Sequence, residues 1–432
     1  MMSPGKLFDC LTTIRGREYH LFVMGGIDSV LDGSKNCKEI SRGKTSMSRF
    51  RIDSTAGGTM KRWIILWSLA AVFLTIGWTR AEEPQRTAWR GKVEKKGSLT
   101  IVSNPKNPLY SSDVFRLKED LSIGAAGGAK DYSFFRAWYI VVDDEGNIYV
   151  MDAGDTCVKI YDDHGKYLSC VGRKGQGPGE LQNPNSIHLI SGNRLVFEDF
   201  YRCLNIYTKE GQFINSRSTA NLGFIDVLVT PENRIVARVN AVTSGQNGKE
   251  LRVYDGQLKL LRTLLFMPEE PHDRQVARPF AGGFHLVLSQ VDRAVVCYKD
   301  DYEIEIYDIR GDSNMCVRKE YDRVKITKEE IDEVTKKMRG RRIDIPTYHP
   351  AVQGISGDEE GRIYVKTFER TKDGVSFYYD VFDREGRYLV KVPILRSAAP
   401  QVWKNREMYC LEQDEDGFQK VKRYSVLWQI PN

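Results

Sequence analysis

Residues 139–171 read YIVVDDEGNIYVMDAGDTCVKIYDDHGKYLSCV. The stretch splits into four short apolar runs, 138–142, 147–151, 157–161 and 166–171. The breaks between them are DDEGN, DAGDT and DDHGK, Asp/Gly turns of the kind that joins hairpins. Four antiparallel strands in about 35 residues make one blade of a β-propeller.

The pattern recurs. A shift of 46 residues sets Cys157 on Cys203, Ile160 and Tyr161 on Ile206 and Tyr207, and Gly165 on Gly211. Further copies fall at 227–264, 286–318 and 352–392. The shared element is [IV]-x-[VIF]-[YF]-D-x-x-G, at 158–165, 304–311 and 379–386. That makes five blades. A sixth is split, because 407–412 and 421–428 supply only part of one. Leu121-Ser122-Ile123-Gly124 matches Leu168-Ser169-Cys170-Val171-Gly172, so a strand near 115–123 is expected to complete the last blade. Closure by strands from both ends of the chain removes an open edge. The expected fold is all-β, a six-bladed propeller, with seven blades as the main competing count. One helix is expected near 327–339, TKEEIDEVTKKMR, between blades four and five. Thr327 and Glu330 form a capping box, and Ile331, Val334 and Met338 share one face.

Composition agrees with a globular chain. Charged residues are 28% and hydrophobic ones 41% of 432 residues, and eight Cys are too few for a disulfide scaffold. The formal charge of +6 lies entirely in residues 1–81, so 82–432 are neutral and carry no nucleic-acid footprint. Residues 63–78, WIILWSLAAVFLTIGW, follow Met60, Lys61 and Arg62 and precede Thr79-Arg80-Ala81. This is the order of a secretory signal peptide, with an apolar run too short for an ordinary spanning helix. Three segments are expected: 1–59 as a mis-annotated or disordered extension, 60–81 as the signal, and 82–432 as the propeller. Export to the periplasm or medium follows, with no stable membrane insertion after cleavage.

The repeat D-x-x-G-[NR]-I-Y-V-x-D, then GRKGQGPGE and N-P, resembles NHL-type six-bladed propellers. It is more closely similar to secreted bacterial six-bladed propellers of undetermined role. The matching pieces lie at 89–107, 121–124, 146–152, 172–184 and 361–365. The resemblance implies a fold and an export route, and no reaction.

Chemistry is sparse. The Gly-rich 172–180 lead into a strand, whereas a phosphate loop opens a helix. There is no GxSxG, and no HxH or HxxxH spacing. A divalent ion such as Ca²⁺ in the channel would rest on Asp152, Glu198, Asp199 and Glu412 at the ends of second strands. That would suit a metal-dependent hydrolase or lactonase, although Arg238 and Lys366 nearby oppose a cation. Cys157 and Cys170 face each other if 161 pairs with 166, which permits a disulfide, but plain packing of two small residues is the favoured reading. Cys203 then faces Ser216. The 310–313 RGDS tetrapeptide sits where the repeat places a turn, equivalent to IYDDHGK.

Surface binding carries the preferred reading. One face, where loops enter the innermost strands, gathers Arg136, Trp138, Arg173, Lys174, Phe200, Tyr201, Arg202, Arg238, Arg341, Arg342, His349 and Arg370. Arginine and aromatic side chains are what interfaces favour. The sequence therefore points to an exported, monomeric, non-catalytic propeller without a cofactor. It would bind a protein, peptide or glycan of the cell envelope through that face, and no nucleic acid.

Overall fold

The repeated Asp/Gly turns set the local geometry. In the turn after Cys157–Tyr161, Asp162 Oδ1 accepts from the His164 and Lys166 amides at 3.0 and 2.8 Å. Gly165 closes it at φ +78°, a conformation that costs glycine little. Asp383 and Gly386 repeat this in the fifth blade. In the first turns, Asp143 and Asp358 accept the Tyr149 and Tyr364 phenols at 3.0 and 2.9 Å, which explains the D-x-x-G-[NR]-I-Y spelling. The RGDS turn differs from its expected equivalent. It closes one residue later, Asp308 N to Ser313 O, and Arg310 and Asp312 pair with Asp292 and Arg262.

A computed structural model describes residues 88–124, 128–199, 202–269, 273, 275–289, 292–395, 402–414 and 416–430. The extension and signal segment expected at 1–81 lie outside them. Blade one comprises Ala137–Val142, Ile148–Asp152, Cys157–Tyr161 and Tyr167–Val171, paired in that order. Blades two to five begin at Pro184–Ile190, Phe224–Val229, His285–Ser289 and Gly354–Gly357. Blade six is Val402–Lys404, Glu407–Gln413 and Gln419–Trp428, completed by Phe115–Ile123. The chain is thus a six-bladed propeller closed as the repeat predicts.

An aromatic near the end of each third strand faces the preceding blade. Tyr161, Tyr207, Tyr254, Tyr307, Phe382 and Tyr424 each pack into the apolar cluster at that junction. This is why the repeat conserves shape at that position along the chain. Burying one such ring contributes about 2 kcal/mol, so the six junctions hold the ring together.

Two features exceed the repeat. The hairpin Lys92–Lys96 and Leu99–Asn104 extends blade four, with Leu99–Asn104 parallel to Asn314–Lys319. The chain then hydrogen-bonds to blade five, Leu109 N to Tyr388 O at 3.1 Å and Tyr110 N to Leu389 O at 2.8 Å, before entering blade six. The helix α1 spans Lys328–Lys337 with the expected capping box. Its half-buried residues are Glu330, Ile331 and Val334, and Met338 at its C-cap is half-buried as well.

The cysteine register needs correction. Bulges place Tyr161 opposite Tyr167 and Lys159 opposite Cys170, so Cys157 meets Cys170 diagonally. The two are disulfide-bonded, contrary to the favoured packing reading. Likewise Cys203 faces Ser218, and Asn205 faces Ser216.

Candidate functional site

The link from blade four to blade five builds the most developed site on the loop-rich face. Thr327 caps α1 by accepting from the Glu330 amide, and Glu330 Oε2 accepts from the Thr327 amide at 2.9 Å. The same carboxylate reaches His349 Nε2 at 3.1 Å and Arg370 Nη2 at 2.7 Å. Burial opposes its ionisation, but the Thr327 amide, His349 and Arg370 outweigh that and hold Glu330 below the usual carboxylate range. His349 stacks flat on Phe368, 4.2 Å between centroids, and meets Phe280 edge-on. Its Nδ1 is buried without a protein partner.

Beside this dyad lies a cavity of about 500 Å³. His349, Phe280, Arg278, Arg323, Tyr348 and Asp344 are among its walls. Arg278 pairs with Asp344 at 3.3 Å, and the Arg323 guanidinium lies 5.5 Å from the Tyr348 ring centre. The short parallel pair Val276–Ala277 and Arg342–Ile343 ties the two links that form the site.

The structure brings His349 and Arg370 together on Glu330, while Arg342 pairs with Asp273 at 3.5 Å. Arg341 is exposed, its amide bonded to the Met338 carbonyl. The remaining predicted residues belong to other blades. Arg136 and Trp138 are exposed at the start of blade one, and Arg173 pairs with Glu180 at 3.0 Å. Lys174 bridges to Leu181, and Arg202 pairs with Asp199 at 3.4 Å. Arg238 pairs with Asp226 and lies over Phe284 at 4.1 Å. Phe200 and Tyr201 lie outside the described residues. Phe280, Arg323, Tyr348 and Phe368 were not singled out from sequence. Nothing local marks them: Phe280 comes from the link into blade four, Phe368 from the strand Ile363–Arg370, and Arg323 and Tyr348 share the long link that carries His349.

The four carboxylates proposed for a metal are already engaged. Asp152 accepts from the Phe135, Arg136 and Gly154 amides at 2.9, 2.9 and 3.0 Å. Asp199 accepts from the Gln182 and Asn183 amides, the latter at 2.6 Å. Both pin the loop that enters their blade. Glu412 accepts from the Tyr424 phenol at 2.6 Å. Glu198 accepts from Asn185 and Ser186, each at 2.9 Å, and burial pushes its carboxyl up. Ser186 also contacts His188 Nε2 at 2.9 Å. Burial lowers His188 to about 4, partly offset by the Val227 carbonyl. Among the described residues no group of three or more His, Cys, Asp or Glu is arranged to hold an ion.

A family described as "6-bladed beta-propeller" matches residues 136–399. The chain belongs to that six-bladed propeller family. No curated protein matches it. Among solved structures, a candidate exported protein from Bacteroides fragilis is similar at 11% identity and TM-score 0.50, over 76% of this chain and 99% of that one. A DUF4221 family member from Bacteroides vulgatus is similar at 9% identity and TM-score 0.47, over 72% of this chain and 98% of that one. A virginiamycin B lyase from Staphylococcus aureus follows at 11% identity and TM-score 0.40, over 72% of this chain and 99% of that one. At these identities the likeness is one of fold. Among the described residues of this propeller, no helix is long and apolar enough to cross a membrane.

Proposed function

We propose that the protein is an exported, non-catalytic propeller that binds a protein, peptide or glycan partner at the His349 cavity of its loop-rich face. The observation that carries this reading is the cavity itself. It combines a fixed imidazole, whose Nδ1 has no protein partner, with arginine and aromatic walls. Pockets of this kind fix a ligand with a few placed polar groups among larger contact surfaces. The Cys157–Cys170 disulfide supports export, since such bonds persist in oxidising compartments.

Printed glycan and peptide arrays probed with the wild-type protein, Phe280→Ala and Arg323→Ala test the reading. Binding should fall by more than about tenfold in both variants, as for residues central to an interface. Array binding that both variants retain at wild-type strength would place recognition elsewhere.

A further inference from the structure

The opposite end of the ring opens into a second, larger space. The central channel, open at its mouth, holds about 790 Å³, and every innermost strand supplies aliphatic residues to its wall, among them Val141, Leu189, Leu228, Leu286, Ile355 and Val402. All six are half-buried: Val141, Leu189, Leu286, Ile355 and Val402 rest one side on the blade-junction clusters and turn the rest of their surface to the channel, and Leu228 lines it without belonging to a cluster. Tyr139 and His188 stand at the inner end of the channel.

The mouth lies among the first turns of the blades. Its wall carries Asp143 and Glu145 paired with Lys209, Asp144 paired with Lys404, and Asp292 paired with Arg310; with Glu359, which also holds Lys404, five acids stand against three bases. The Ser289 hydroxyl belongs to the same wall and is buried without a protein partner.

From these observations we infer that the channel binds a single aliphatic chain, inserted tail-first, whose head is an amine or an alcohol rather than a carboxylate. The aliphatic stretch of the wall, inside the polar mouth, gives water few partners and so favours an apolar segment there. A volume of this size accommodates a small-molecule ligand. The acidic excess at the mouth repels an anionic head and attracts a cationic one. This site is separate from the His349 cavity, and neither proposal depends on the other.

The test uses the full chain and the neutral fluorescent probe N-phenyl-1-naphthylamine. Wild type should bind the probe, and dodecylamine or dodecanol should displace it at concentrations about tenfold below dodecanoic acid. Leu228→Trp, which projects a larger ring into the channel, should weaken the signal. Ile355→Phe, a smaller intrusion, provides the same reading if the tryptophan variant melts early. Each variant keeps the apolar 63–78 segment, so the difference in signal reads the channel alone. Asp144→Lys should bring dodecanoic acid to within about threefold of the amine. No probe binding by wild type, or equal binding by folded channel variants, overturns the site. Equal displacement by acid and amine overturns the head-group assignment.

Discussion

Asp152 shows how one residue can look like a ligand and act as a pin. Sequence alone offers a carboxylate at the end of a buried strand, which suits either a metal or a backbone anchor. Only the loop that returns to it decides: that loop donates the Phe135 and Arg136 amides, and Gly154 just downstream adds a third. Asp152→Ala leaves those amides without their acceptor and should cost about 3 kcal/mol in urea unfolding. A second residue-scale effect follows from His188. Its unfolded imidazole takes a proton near 6.5, while burial holds the folded ring to about 4. The unfolded chain therefore binds more protons between those values, and stability falls as pH drops through that window. The loss should approach about 3 kcal/mol. Denaturant midpoints measured from pH 7 to 4 for wild type and His188→Gln isolate it, because the variant lacks the titration. Parallel curves would remove His188 from this role.

At the scale of elements, the regular blade was legible because each part obeys a local rule. Alternating apolar runs give strands, and Asp/Gly turns give hairpins. The cap of α1 was readable for the same reason, since Thr327 and Glu330 are neighbours. What escaped reading was the second use of Glu330, which joins residues 19 and 40 positions away. The cysteine register escaped because a bulge leaves no clear mark in sequence. The hairpin on blade four was likewise hidden, being parallel to its partner and about two hundred residues from it. Its anchor is Asn104. Its Oδ1 accepts from Trp89 Nε1 and Tyr388 N, and its Nδ2 donates to the Arg318 and Gly386 carbonyls. All four hydrogen-bonding positions of this buried amide are filled. Asn104→Ala should therefore cost about 3 kcal/mol, and amide exchange should accelerate first along Leu99–Asn104. Wild-type protection there would show that the hairpin holds without its anchor.

For the whole molecule, closure decides stability. Six apolar junctions surround the axis, and the one between blades six and one contains Ile123 from the closing strand. The sequence announced this closure because the Leu121–Gly124 match betrayed a displaced piece of repeat. A chain shortened to begin at residue 125 loses the closing strand and the hairpin on blade four, and leaves Gln419–Trp428 and Asn314–Lys319 as open edges. It should elute as oligomers or aggregate in gel filtration, as unpaired edges do. A monomer with wild-type melting would mean that the strand is dispensable.

The closing strand also sets an order in time. Phe115 pairs with Trp428, so a strand made early waits for one made last. At ordinary synthesis rates the delay is on the order of half a minute. Throughout it, the ring has no complete circumference and the waiting strand has no neighbour. A chain delivered N-terminus first is thus kept from finishing until its final residues arrive, which is what the export proposed above would call for.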